Sequence, residues 1–376
     1  MTLRATPFHA RAAGANRGND WLSRGGFTLA RVYSGAGDEA LAARARGALA
    51  DISWRWRVMI EGARAGEFLS RLVTKDAARL EPGQALKALW LNDGGAVRGA
   101  GAIARYGKES FLLISAADDK DWIAAAASRF GANSREIAEG GLALIGPYAD
   151  AILKEAGIDA APDPLALRKV FWRGLDVTLS RFGEHGGCEI WCAPDDGLLV
   201  WDRLMRAGAA YGLQPAGTDA MDILDLEAGI ARPMRDFAPA RDGFVPMPTP
   251  KSLGLTSLIE SGHDFNGRAA YLAQRETKTL IVIEIDSATP APHTPLQRGG
   301  KAVGRTLSSL YSPALRRAIA LAIAEESESA PGTEFSLMLS PSADMPEFRS
   351  VAARAVPLPF LEHDRASVNR SHAPDS

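Results

Sequence analysis

The chain is poor in cysteine, and its charge favours neither sign. Cys188 and Cys192 are the two thiols in 376 residues. That is too few for a disulfide framework, so the expected setting is reducing and cytoplasmic. Lys and Arg number 43 against 45 Asp and Glu, which removes the basic footprint of a nucleic-acid binder. No stretch approaches the roughly 18 uninterrupted apolar residues of a membrane helix. Arg4, Arg11 and Arg17 precede the first acid, Asp20, but no apolar face of a transit peptide accompanies them. The common catalytic signatures are missing too. There is no Walker loop, no HExxH, no GxSxG, and no GxGxxG in a strand-to-helix setting. His9, His263, His293, His363 and His372 are scattered. His185, Cys188 and Cys192 in "HGGCEIWC" tempt a zinc reading, but Cys188, Ile190 and Cys192 fall on one strand face, where free cysteine acts as a small hydrophobe.

What is present is an ordinary globular composition, 46% hydrophobic and 23% charged, patterned as α+β. "ISWRWRVMIEG" alternates like a strand, and "ARAGEFLSRLVTKD" turns helical with Phe68, Leu69 and Leu72 as its stripe. "ALWLN", "AVRGAGAIAR" and "SFLLISA" form a meander with glycine turns. "DDKDWIAAAASRF" is a helix. A further helix after "PDDG" carries Leu198, Trp201, Leu204 and Met205 on one face. "YSPALRRAIALAIAEE" predicts a late helix with Ser312 as N-cap and Pro313 at its first position. From Pro341 the Pro, Ser, Arg and Asp content predicts a loosely attached tail.

Several segments then occur in a fixed order: "TPFH", "LADIS", "FLSRLVTKDAARLEPGQALKALWLNDGG", "SRFGEHGGCEIW", "GLQPAGTDAMDILDLEAGI", "DFNGRAAYL" and "GGKAVGRTLSSLYSPALRRAIALA". This series, over roughly residues 6 to 325, resembles the aminomethyltransferase family, the folate-binding T-protein of glycine cleavage and its demethylase relatives. The resemblance implies a three-domain, disc-like fold around tetrahydrofolate, with a C-terminal β-barrel-like domain. The domains expected are 1–50 with 139–250 (folate-binding), 51–138 (inserted), 251–340 (β-rich) and 341–376 (tail).

The resemblance also assigns roles. Relatives hold the pterin with the Glu of a pattern like Arg-Leu-Glu-Ala-Gly-Met, which falls on Glu227 in "DLEAGI". A carboxylate can accept two adjacent pterin N–H groups. Read from the residues alone, the preferred role of Glu227 is to pair with a nearby arginine or backbone, such as Arg232 or Arg235, and close the helix; the resemblance reverses that preference. Ser115 stands where the family has an Asn, and Arg98 is a candidate for an acidic substrate or the folate tail. His185 and Glu184 occupy the loop that faces folate in relatives and are the candidate catalytic pair, since histidine titrates near neutrality. Trp54 and Trp56 are candidates for an aromatic pocket wall or for core.

The departures shape the functional reading. T-proteins carry a paired Asp-Asp where this chain offers Gly99 and Ala100, or Arg98 and Gly99 in the alternative frame. The family's loop Tyr becomes Glu184, and the Arg of Ala-Arg-Asp becomes Met221, with Asp222 kept. Without the carboxylate pair the preferred expectation is a demethylase, moving a methyl group from an O-, S- or N-methyl small molecule to tetrahydrofolate. The alternatives are a non-catalytic folate binder or partner subunit, for instance beside an oxidase, and a divergent T-protein. The iron–sulfur-assembly branch is disfavoured, because "HDFNGRAAYLAQRE" lacks its cysteine.

Overall fold

The computed structural model describes residues 3–240, 248–286, 289–339, 347–358 and 360. Contacts divide the chain into two compact units. One comprises residues up to 91, 99–221 and 258–266. The other comprises 92–98, 222–257 and 267 onward.

The first unit is built on three sheets. A small sheet joins Arg4–Ala5, Phe27–Ala30 and Trp21–Arg24. A six-stranded sheet runs in the order Leu167–Trp172, Leu175–Ser180, Cys188–Cys192, Gly140–Ile145, Ala48–Asp51, Gln214–Ala216. A five-stranded sheet runs Ala85–Leu91, Val97–Gly107, Ser110–Ser115, Trp56–Glu61, Asn133–Glu136. Separate core clusters fill this unit. One gathers Phe8, Leu49, Leu144, Ile190 and Leu204, another gathers Val58, Phe68, Trp90, Leu113 and Ile123, and a smaller one holds Met59, Ala104, Leu112 and Phe182. Cys188, Ile190 and Cys192 lie in the first core, as their alternation predicts. Trp56 belongs to the second core, and its indole N–H donates to the Ala117 carbonyl. Trp54 is instead half-buried and stacked by the Arg24 and Arg55 guanidiniums. In the helix Gly197–Gly208 the expected stripe shifts by one contact. Leu198 is exposed, while Val200 packs with Trp201 and Leu204.

The second unit holds a closed barrel in the order Lys278–Ile285, Arg317–Glu325, Lys301–Ser312, Pro295–Arg298, Glu334–Leu339, Arg349–Val356. Two expectations are corrected here. The late helix is a hairpin: Lys301–Ser312 pairs antiparallel with Arg317–Glu325, and the turn places Arg316 in the left-handed region at φ 56°. Ala318, Ala320, Ala322 and Ala324 all point into the barrel core beside Ile283, Phe335 and Leu337. A six-stranded barrel has a narrow interior, and small side chains on one strand make room for large ones on its neighbours. The tail expected from Pro341 is corrected over Arg349–Val356, which pairs with Lys278–Ile285 and Glu334–Leu339 and closes the barrel. Val351, Ala353 and Ala355 alternate inward, and that period of two outweighs the polar composition around them. The rest of the expected tail lies largely outside the described residues.

Candidate functional site

In the first unit the loop between Leu175–Ser180 and Cys188–Cys192 carries Glu184 and His185. Gly186 and Gly187 follow with φ of 70° and 76°, and a β-carbon on Gly187 would come 2.0 Å from the Leu144 carbonyl oxygen. The glycine pair therefore lets the loop return tightly onto the sheet. Glu184 pairs with Lys87 Nζ at 2.7 Å, and His185 is half-buried in the same turn. Lys87 was not foreseen. Its signal was its place in the alternation Ala85, Lys87, Leu89, Leu91, where a lysine shares a face with apolar residues.

Ser115 ends the strand Ser110–Ser115 and is buried. Its Oγ donates to the Ala100 carbonyl at 2.9 Å and accepts from the Ala117 amide at 3.2 Å. The hydroxyl thus ties the strand exit to its neighbour, with one acceptor position remaining. Gly99 has no room for a side chain. A β-carbon there would lie 2.2 Å from the Trp90 ring, and Trp90 Nε1 is itself held by the buried Asp119 at 3.0 Å. The indole occupies the space that a side chain at this position needs.

Two buried ion pairs lie in the same unit. Arg55 reaches Glu189 at 2.7 Å, and Glu189 also accepts from Ser180 Oγ at 3.0 Å. Arg57 sits 4.2 Å over the Trp191 ring and pairs with Glu139. Burial lowers the Arg57 pKa to about 10, with Tyr106 and Glu189 opposing the shift. Burial pushes both thiols, Cys188 and Cys192, up to about 12. Neither is the activated thiolate of a nucleophile.

The helix Thr218–Glu227 ends, within the second unit, at a fully buried carboxylate. Gly229 (φ 73°) turns the chain, and its amide donates to Leu226 O at 2.9 Å. Glu227 Oε1 accepts from Ser312 Oγ at 2.5 Å, and Ser312 Oγ accepts in turn from the Leu315 amide at 3.0 Å. Ser312 therefore caps a turn between strands and not the start of a helix. Arg232 forms a bidentate pair with Asp225 at 2.7 and 2.9 Å. Arg235 gathers Asp222, Asp225 and Asp236 at 3.2, 3.5 and 2.7 Å. The kept Asp222 thus serves an arginine cluster. Arg98 belongs to this unit and is buried. Of the expected residues, Glu184, His185 and Ser115 lie in the first unit, and Glu227 and Arg98 in the second. Among the described residues no three His, Cys, Asp or Glu side chains form a metal-holding group, and no helix is long and apolar enough to cross a membrane.

Comparison with known proteins places the whole chain. The GCVT N-terminal domain matches residues 10–244, and the glycine cleavage T-protein C-terminal barrel domain matches 278–362. An aminomethyltransferase of Desulfitobacterium hafniense strain Y51 is 31% identical over 345 residues, 85% of this chain and 90% of its own. One of Bacillus cereus strain AH187 is 28% identical over 386 residues, covering 97% and 100%. The crystal structure of glycine cleavage system aminomethyltransferase T from Bartonella henselae superposes with a TM-score of 0.83 at 22% identity, covering 96% of this chain and 99% of that one. That likeness concerns the fold alone, and it agrees with the mixed helix and sheet units and the closed barrel described above. The chain belongs to the glycine cleavage T-protein, or aminomethyltransferase, family.

Proposed function

We propose that the protein is a tetrahydrofolate-dependent one-carbon transferase of the aminomethyltransferase type. The observation that carries this reading is Glu227, a carboxylate with no solvent exposure at the end of its helix. Burying a carboxylate costs several kcal/mol unless donors meet it. Glu227 Oε1 accepts from the Ser312 hydroxyl. The adjacent amino and ring N–H groups of a pterin are a matching donor pair. In the aminomethyl reaction the folate nitrogens take up the methylene carbon as its bond to sulfur breaks and ammonia leaves. Glu184 and His185 are the groups we assign to proton movement at the leaving atoms.

A second reading is favoured by one specific observation. Trp90 fills the space beside Gly99, so no carboxylate stands there to stabilise an iminium-like carbon. Direct methyl transfer needs less, because a folate amine attacks a methyl carbon in line and the protein mainly positions the partners. This is the demethylase reading, with an O-, S- or N-methyl donor.

One experiment tests both. The purified chain is titrated with tetrahydrofolate in a calorimeter and then incubated with aminomethylated lipoyl carrier or with methyl donors, and the folate products are weighed by mass spectrometry. Methylene-tetrahydrofolate with ammonia release supports the first reading, and 5-methyltetrahydrofolate supports the second. Binding without turnover marks a folate-binding subunit that works with a partner protein. Absence of tetrahydrofolate binding overturns all three.

A further inference from the structure

Lys87 stands at the end of a seam of backbone hydrogen bonds in the first unit. The Ala85 amide donates to Leu165 O and the Leu167 amide to Gly83 O, both at 2.7 Å. The same middle segment continues the seam, with Leu165 N donating to Arg181 O and Arg181 N to Ala166 O, both at 3.1 Å. Lys87 lies two residues beyond Ala85, and Glu184 three beyond Arg181. Their side chains meet at 2.7 Å, with exposures of 20% and 32%. The loop backbone is held without this pair. Arg181 Nε donates to Gly187 O at 3.0 Å and its Nη2 to Asp150 at 2.8 Å, and Gly187 lies tight against Leu144 O. Glu189, which a β-carbon on Gly183 would approach to 3.7 Å, is taken by Arg55 and Ser180. A partly exposed ion pair contributes little to stability. What the Lys87 ammonium fixes is therefore the Glu184 carboxylate itself, in direction and in charge.

We propose that Lys87 is a positioning residue, which keeps Glu184 aimed and charged so that this carboxylate enters the reaction as a proton acceptor. The assignment rests on the transferase reading above, and both forms of that reading require such a group. When a methyl group moves, one N–C bond forms and the bond from carbon to the O, S or N of the donor breaks. The folate N–H hydrogen then ends on that leaving atom. When a methylene group moves, two N–C bonds form, the C–S and C–N bonds break, and two N–H hydrogens end on sulfur and on ammonia. A group that carries these hydrogens must accept before it donates, and a carboxylate accepts in its charged form.

The test is a double-mutant cycle on turnover by the full chain, with tetrahydrofolate and aminomethylated lipoyl carrier or the methyl donor that the wild type turns over. Lys87→Met is expected to lower kcat tenfold or more, while KM for tetrahydrofolate changes less than threefold. Lys87→Arg is expected to keep most of the rate. In a Glu184→Gln background the same Lys87→Met change is expected to alter kcat less than twofold, because a residue that acts through Glu184 has nothing left to act on. An equal loss in both backgrounds overturns the proposal. So does Lys87→Met turning over like the wild type, or Lys87→Arg as slow as Lys87→Met. Urea unfolding is followed in parallel, and a loss of kcat matched by collapse of the unfolding transition marks a structural residue and overturns the proposal as well. Absence of turnover by the wild type with every donor sinks the transferase reading itself, and the role of Lys87 with it.

Discussion

Glu227 and Ser312 form a pair whose two members can be tested separately. Glu227→Gln keeps the shape of the side chain but replaces one acceptor oxygen with a donor. Tetrahydrofolate affinity is expected to fall tenfold or more, about 1.4 kcal/mol, as read by calorimetry. Ser312→Ala leaves a buried carboxylate one donor short and is expected to lower stability by about 1–3 kcal/mol, as read from urea unfolding. Gly99→Asp puts a carboxylate where the resemblance leads one to expect it, but its β-carbon meets the Trp90 ring. Overpacking of that kind costs about 1–3 kcal/mol, as read from urea unfolding. The cysteines give a pH dependence with a fixed sign. Their folded pKa values of about 12 stand above the unfolded value of about 8.5. Each therefore contributes stability that is fully present below about pH 8.5 and is lost as pH rises toward 12. Unfolding midpoints should fall between pH 8 and 10, and the fall should shrink when both thiols are replaced by Ala. Sequence alone exposed Glu227 through the six residues "DLEAGI" and the series around them. It hid the contact of Lys87 with Glu184, because a single lysine in a strand usually marks a solvated face.

The misread element was the Ala-rich run near residue 320. Ala, Leu, Ile and Arg suit a helix by intrinsic propensity, and nothing in the run shows a period of two. The reason is physical. Ile319 and Leu321 are as fully buried on the outer face as Ala320 and Ala322 are on the inner one, so both faces are apolar and the alternation disappears. Pairing on both sides of Arg317–Glu325 then decides for strand. The amphipathic helices, by contrast, bury one face and could be read from their period, while the meander, buried on both faces along Ser110–Ser115, was marked by its glycine turns. A direct check of the lumen is Ala322→Leu, expected to cost about 1–3 kcal/mol by overpacking. Arg354→Lys, on the exposed face of Arg349–Val356, should stay within about 0.5 kcal/mol. Urea midpoints measured side by side distinguish the two.

For the molecule as a whole, the family was legible although no single motif declared it. Segments spread over some 320 residues kept the order and spacing of relatives, and the full-length similarity agrees with that. Which residues meet which ligand was less legible, since loop contacts such as Lys87 with Glu184 join positions far apart in sequence. A ligand that binds only the folded state raises stability by mass action, about 2.7 kcal/mol at one hundred times its dissociation constant. Tetrahydrofolate should therefore raise the melting temperature of the wild type, while Glu227→Gln, binding tenfold more weakly, should gain about half as much at the same concentration, about 1.4 kcal/mol, as scanning calorimetry would show.

The closing strand of the barrel also sets a timetable. Lys278–Ile285 bonds to Arg317–Glu325 on one side and to Arg349–Val356 on the other. During synthesis its second edge has no neighbour until residue 356 has been made. The same holds for Glu334–Leu339, whose long pairing is with that last strand. For that interval the nascent chain presents two unpaired, apolar-backed strand edges, which are templates for pairing with another chain. The protein is therefore most exposed to misassembly late in translation, and slowing the ribosome over the final segment should lower its soluble yield more than slowing it earlier.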